Sequence, residues 1–313
     1  MASVLLFHEV TDRHWFDNLI GWLKHRYQLV PIGSLRASRG ARDQPCHITV
    51  DDGHRSFYDV IFPVLKKHGV CASLFVSPKI CRDRDNFWFQ EIQGYDNRIL
   101  RTCSAEVIGT TATVLEGFSP ACIFKAMRSD QMEEVIRRYR ARTSAPRKGP
   151  QNVSVEELQE MADSGLVSVG AHTMTHPILT NERNSSCEYE IEASVNELRT
   201  LLDRDVKYFA YPNGIANLDF GPREERVVRS CGIEMAFSTE MRHHFPDDNP
   251  LRIPRLAISD QEGMRSIRTK LLFGSVWNRA KELTGVGERS TRQRLGNILD
   301  VVRSDARLVV DAE

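Results

Sequence analysis

The sequence has no net charge to offer a polyanion: 42 Lys and Arg stand against 42 Asp and Glu. A general nucleic-acid binder carries a basic excess, so that class is excluded. No stretch approaches the roughly 18 uncharged apolar residues of a membrane-crossing helix. The opening MASVLLFHEVTD lacks the basic flank and the long apolar core of a secretory leader. There is no Cys-x-x-Cys pair, and the seven cysteines are odd in number and irregularly spaced. That argues against a disulfide framework and for reduced thiols in a cytoplasmic chain. Internal repeats and low-complexity tracts are also missing.

What is present fits a soluble globular protein: 313 residues, 41% hydrophobic and 27% charged. At roughly 150 residues per domain this is about two domains, or one α/β barrel of about 250 residues with additions. Seven short apolar runs read as strands: Val4–Phe7, Ile48–Val50, Ala72–Val76, Leu166–Val169, Val206–Ala210, Ile233–Phe237 and Arg255–Ile258. Their nearly unbroken Val, Ile, Leu and Phe content suits parallel strands buried on both faces.

Helical patterns separate these runs. Trp15, Leu19, Ile20, Trp22 and Leu23 form one apolar stripe, and Val60, Ile61, Val64 and Leu65 another, bent by Pro63. Ser154 and Glu157 have the spacing of a capping box, and Gly165 is a natural stop for that helix. Glu190, Ser194, Leu198 and Leu201 belong to a long helix before the Val206 run. Strands alternating with helices predict a parallel α/β fold.

Residues 91–150 break this rhythm and read as a helical insertion. Residues 262–313 read as a helical C-terminal extension, leaving 1–261 for the barrel. Within 264–281, Arg265, Arg268, Lys270, Arg279 and Lys281 interleave with Ile267, Leu271, Leu272, Val276 and Trp277, with no acidic residue. Such a helix packs on the barrel or meets a membrane surface or partner.

Three motifs carry chemistry. Asp51 and Asp52 close the Ile48–Val50 run, and Gly53 then permits a sharp turn. Continued strand alternation would point the two carboxylates apart; at a strand end they can serve one site, or simply a turn. His172 and His176 follow the Leu166–Val169 run, with Pro177 favouring a loop. Two histidines four apart can meet one metal ion, or be ordinary surface residues. Tyr211-Pro212-Asn213-Gly214 follows Phe209-Ala210 as a tight turn that can aim a backbone N–H inward. All three follow strand ends, and in α/β barrels these ends form the face that hosts chemistry. One Asp and two His leave room for water and substrate on a catalytic metal, and the spare carboxylate is the natural base.

In these motifs the sequence resembles the polysaccharide deacetylases of carbohydrate esterase family 4, the NodB-homology superfamily. Thr49-Val50-Asp51-Asp52-Gly53 resembles that family's Thr-Phe-Asp-Asp-Gly, and His172-Thr173-Met174-Thr175-His176-Pro177 its His-Ser/Thr-x-x-His-Pro. The stretch from Glu190 to Gly214 resembles the segment that follows, and Phe7-His8-Glu9-Val10 the Tyr-His-x-Val of the first strand. The resemblance implies a distorted TIM-like (β/α)7 barrel, to which the residue pattern adds the helical insertion and the helical C-terminal extension. It implies Asp51 as catalytic base, and Asp52, His172 and His176 as ligands of a divalent metal, zinc first, with cobalt or nickel as alternatives. It also implies that the Tyr211 N–H holds an oxyanion.

Two departures stand out. The third motif lacks the Arg that orients the base in many members, and Arg255 in Ile253-Pro254-Arg255-Leu256 is the replacement, unless it forms a surface salt bridge. The usual general-acid motif is missing; His243 and His244 lie nearby in sequence but do not match it, His8 is another candidate by its strand-end position, and the acid stays unassigned. The expected reaction is removal of an N-acetyl group from an amino sugar in a polysaccharide, lipid-linked glycan or nucleotide-sugar precursor. Hydrolysis of another C–N bond, such as a cyclic amide, and a catalytically silent glycan-binding barrel are the alternatives. Trp88 and Phe89 could offer a sugar platform or pack in a core. The expected partner is thus an N-acetylated sugar, with peripheral membrane contact through 264–281 a further expectation and oligomeric state open.

Overall fold

In the computed structural model, eight parallel strands form one sheet. The structure describes residues 1–35, 44–283 and 287–310, of which 274–283 and 301–310 are described by their backbone only. The strands are β1 (Ser3–Phe7), β2 (Gln28–Leu29), β3 (Pro45–Val50), β4 (Ala72–Val76), β5 (Val167–Ala171), β6 (Tyr208–Ala210), β7 (Met235–Phe237) and β8 (Leu256–Ala257). Their order is β7-β6-β5-β4-β3-β1-β8, with β2 paired beside β3. Seven of them coincide with the apolar runs of the sequence. The eighth, β2, is two residues long and carries no apolar run to reveal it.

The ring closes without a regular ladder between its last two strands. Ile253 bridges Phe237 of β7, and Leu256 and Ala257 then pair with Leu5 and Leu6 of β1. A single stretch of chain thus spans from β7 to β1, which is the distortion of this (β/α)7-type barrel.

Strand alternation sorts the side chains. Cys46, Ile48 and Val50 of β3, with Ala72, Leu74 and Val76 of β4, join the large core under the helices. Helix Arg13–Arg26 contributes Phe16, Leu19, Ile20 and Leu23 to it, and helix Asn184–Leu202 contributes Ile191, Val195 and Leu198. Phe75, Ala210, Met235, Phe237 and Ile253 form a separate cluster. His47 and Thr49, in the opposite phase of β3 from Ile48, are buried and satisfied. His47 bonds the Val30 carbonyl and Ser73 Oγ, each at 2.8 Å, and Thr49 Oγ1 donates to the Leu5 carbonyl at 2.7 Å.

Local signals operate as their chemistry dictates. Glu157 N donates to Ser154 Oγ, while Glu157 Oε2 accepts from Ser154 N at 2.9 Å, capping helix Val155–Asp163. Pro63 sits at the start of helix Phe62–His68, directly after a wide π-turn at Phe57–Ile61.

The chain divides into two units: 1–85 with 150–279, and 86–149 with 280–313. The boundaries differ from those expected at 91–150 and 262. Ile267 and Leu271 belong to the barrel's core, whereas Leu295 and Leu299 pack with Leu100, Cys103, Val135 and Tyr139 in the second unit. The C-terminal helices are therefore divided between the units at residue 279. Helix Met264–Leu283 also breaks its dihedrals at Phe273 (φ −128°, ψ 20°). The side chains of Val276, Trp277, Arg279 and Lys281 lie outside the described set.

Candidate active site

Asp51 keeps the inward phase of His47 and Thr49. Its N–H donates to the Phe7 carbonyl at 2.9 Å, extending the β1–β3 ladder by one residue. Asp52 leaves the ladder, with φ at +72°. Strand alternation would have turned it away from Asp51; this left-handed residue brings it back to the same rim. Gly53 follows at φ +71°, and a Cβ there would stand 2.8 Å from Val76 Cγ1. The motif's glycine is thus required by both conformation and space.

Asp51 is held in a fork. Arg255 Nη1 and Nη2 donate to its two carboxylate oxygens, each at 2.7 Å. Arg255 Nε donates to the Ser238 carbonyl at 2.9 Å, and the guanidinium lies 5.8 Å from the Phe75 and Phe237 rings. Arg255 is 0% exposed, so the surface salt bridge weighed above is not what this residue makes. Burial alone would push the Asp51 carboxyl up; Arg255 and then His172 outweigh it and hold Asp51 below the ordinary carboxylate range.

His172 and His176 sit on the loop after β5, where Thr173 and His176 both have φ of +62°. Glu190 builds this loop from the neighbouring helix. Its Oε2 accepts from the Met174 and Thr175 amides at 2.9 Å, and its Oε1 accepts from Thr175 Oγ1 at 2.8 Å. Thr173 Oγ1 accepts from the His176 amide at 3.0 Å. His172 Nδ1 lies 2.7 Å from the Ala210 carbonyl, which can only accept, so Nδ1 carries the proton. Its Nε2 is left facing Asp52 Oδ1 at 3.4 Å, and His176 Nε2 lies 3.4 Å from the same oxygen.

Ligand atoms of Asp52, His172 and His176 all fall within 4.8 Å of one another, and all three residues are buried. Among the described residues Asp52 Oδ1 accepts no hydrogen bond. A buried carboxylate oxygen without a donor, faced by an imidazole acceptor, fits a cation. Two imidazoles and one carboxylate suit a borderline divalent metal with open positions. A backbone carbonyl such as that of Ala210, bonded to the far nitrogen, is a common device for fixing the tautomer of a metal-binding histidine. Burial would lower the His172 imidazole, but Asp52 and Asp51 raise it above its ordinary range, so a cation here competes with a proton. Burial pushes His176 down to about 3, which keeps it neutral, as a metal ligand has to be. Despite its burial, the His172 and His176 neighbours hold Asp52 below the carboxylate range.

One expectation is corrected, and two readings left open by the sequence are decided. The Tyr211 N–H donates to the Phe237 carbonyl at 3.1 Å, because the β6–β7 ladder runs one residue past β6. It is therefore committed to the sheet rather than offered to an oxyanion, and the Tyr211 ring is buried against Phe220, 3.7 Å centroid to centroid. His243 and His244 lie at the opposite rim: His244 pairs with Ala2 ahead of β1, and His243 Nδ1 is 3.2 Å from Ser3 Oγ. Trp88 is 8% exposed and stacks on Phe124 in the second unit's core, so it offers no open platform.

His8 follows β1, is exposed, and is near enough that its positive form lowers both Asp51 and Asp52. Ser56 ties this corner together, accepting from the Val10 amide at 3.1 Å and bonding His54 Nδ1 at 2.9 Å. The Ala210 carbonyl, the Ser238 carbonyl and the Glu190 contacts were not foreseen. A backbone carbonyl has no sequence signature, and Glu190 showed only as one position of a helical stripe.

The geometry can be set beside known proteins. The family model described as polysaccharide deacetylase matches residues 38–236. A poly-β-1,6-N-acetyl-D-glucosamine N-deacetylase of Staphylococcus aureus is 31% identical over 116 residues, covering 34% of this chain and 39% of that protein. The match thus spans well under half of that relative's length. Among solved structures, the Streptococcus pyogenes deacetylase PplD, in complex with acetate, superposes with a TM-score of 0.57 at 14% identity, covering 86% of this chain and 97% of that one. IcaB from Ammonifex degensii gives 0.56 at 20% identity, covering 82% and 91%. At these identities the superpositions establish the fold.

Proposed function

Because this chain belongs to the polysaccharide deacetylase family, we propose that it hydrolyses the N-acetyl group of an amino sugar within a glycan or glycan precursor. One observation carries the reading: a carboxylate clamped by a buried Arg stands on the same barrel rim as a buried Asp-His-His cluster. Asp52, His172 and His176 would hold a divalent ion, zinc by the donor set, with cobalt or nickel as alternatives. Bound there, the ion supplies Lewis acidity, which acidifies water and polarises an acyl oxygen.

Asp51 takes a proton from the attacking water. The Arg255 fork fixes its orientation and keeps it ionised, as a base must be before the reaction. The depressed carboxyl also surrenders that proton readily afterwards. Arg255 is a positioning residue, since its donors face Asp51 and not the substrate. His8, exposed at the end of β1, protonates the leaving amine. Tyr211 is assigned no part in oxyanion binding. Its commitment to the sheet favours one second reading, a barrel that binds an N-acetylated glycan without turnover.

Acetate release from N-acetylglucosamine oligomers and from nucleotide-linked N-acetylamino sugars, by protein carrying one divalent ion per chain, tests both. Release abolished in Asp51→Asn supports hydrolysis. Glycan binding with no acetate from metal-loaded wild type leaves the silent barrel standing and removes the first reading.

A further inference from the structure

The end of the barrel opposite the catalytic rim carries a second surface. Helix Arg13–Arg26 follows β1 and returns to the N-terminal edge of the sheet, where Gln28 N bonds the Gln44 carbonyl ahead of β3. An open cleft of about 980 Å³ lies there, lined by Trp22, Lys24, Arg26, Tyr27, Arg268 and Leu272 among others, with no Asp or Glu among the described lining residues. Lys24, His25 and Arg26 form the last turn of their helix, where carbonyl ends already favour cations. Arg268 comes from a different helix, its guanidinium 5.3 Å from the Trp22 ring centroid. Lys24 Nζ donates to the neutral His68 carbonyl, so its charge is not cancelled by that bond.

Apolar groups flank these cations. Leu272 is 70% exposed and Phe273 56%, two of the five large apolar side chains exposed among the described residues. They are adjacent in sequence, one on the cleft wall and the next at the break in its helix. Ile267 and Leu271 of that helix are buried, so its inner face is already occupied by the barrel. No described helix is long and apolar enough to cross a membrane.

We propose that this end of the barrel docks on an anionic lipid bilayer, with Lys24, Arg26 and Arg268 on headgroup phosphates and Leu272 and Phe273 in the interfacial layer. Charge complementarity selects an anionic partner. The exposed apolar pair selects a bilayer over a soluble polyanion, because only the bilayer offers those side chains an apolar phase. The catalytic motifs follow the C-terminal ends of the strands, so docking would leave the reaction rim turned away from the lipid.

The test is co-sedimentation of the full chain with vesicles of phosphatidylcholine alone or containing phosphatidylglycerol. Wild type is expected to pellet with the anionic vesicles only. Leu272→Asp/Phe273→Asp and, separately, Lys24→Glu/Arg268→Glu should each weaken binding roughly tenfold or more. Both variants should keep the wild-type melting temperature and bound metal. Failure of wild type to pellet with anionic vesicles overturns the proposal. So does full retention of binding by the apolar double variant with displacement by inorganic phosphate or heparin, which would mark a site for soluble anions.

Discussion

His172 Nε2 and Asp52 Oδ1 face each other at 3.4 Å, two acceptors with the imidazole proton held on the far nitrogen by the Ala210 carbonyl. Only a cation or an added proton reconciles them. His172→Ala and Asp52→Asn should therefore lose bound divalent metal, measured by elemental mass spectrometry on purified protein. Asp51→Asn should retain it while turnover falls roughly 100-fold or more. Metal lost from Asp51→Asn, or retained in His172→Ala, would reverse these assignments.

Removing the cation from the Asp51 pair leaves a carboxylate buried without its counter-charge. Arg255→Met should cost about 3–5 kcal/mol of stability in denaturant unfolding. The Asp51 carboxyl is depressed in the fold, so the pair's contribution is full above the ordinary carboxylate range and lost as pH falls through it. With Arg255 gone that carboxyl rises, and the acid limb of the pH–rate profile should move to higher pH. An unshifted limb would show that Arg255 does not govern the base. In the double variant Asp51→Asn/Arg255→Met the stability loss should be smaller than the sum of the single losses.

Glu190 touches no ligand atom but fixes two amides and one hydroxyl of the His172–His176 loop. Glu190→Ala removes the acceptor of both amides and of the hydroxyl. Metal affinity should drop roughly 10–100-fold in a competitive chelator titration, with the barrel still folded. A variant with lower melting temperature but unchanged affinity would make Glu190 a packing residue only.

His47 supplies a pH dependence far from the reaction. Burial holds its imidazole at about 4, against an ordinary 6.5. The unfolded chain binds this proton below about pH 6.5, while the folded one resists until about pH 4. Stability from this group is thus complete above the upper value and is lost on acidification across that window, by about 3 kcal/mol in all. Urea midpoints of wild type and His47→Gln at pH 7 and at the low end of the window should converge as pH falls. Parallel losses in both proteins would show that His47 is not responsible.

Much of this site is legible in the sequence because its chemistry sits where apolar runs stop. Parallel strands buried on both faces read as Ile48–Val50 or Ala72–Val76, and Asp51, His172 and Tyr211 mark such ends. Periodicity reports that Ile267 or Leu295 is buried but not against which core, so the division of the C-terminal helices was hidden. The same holds for the Tyr211 amide, whose partner depends on how far the β6–β7 ladder runs. His243 and His244 looked close in sequence, and only the pairing of His244 with Ala2 places them at the opposite rim.

The Asp51–Arg255 pair joins residues 204 apart in the chain. At about 5–20 residues per second, the ribosome delivers the arginine roughly 10–40 s after the aspartate. By the end of that interval strands β1 to β7 are all made and the Asp-His-His cluster is complete in sequence, yet the carboxylate beside it has no counter-charge. The closing segment around Ile253 is what supplies it. The nascent protein can therefore gain its proposed metal-binding cluster well before the carboxylate proposed as base is set, and the closing stretch of the barrel is the one that sets it.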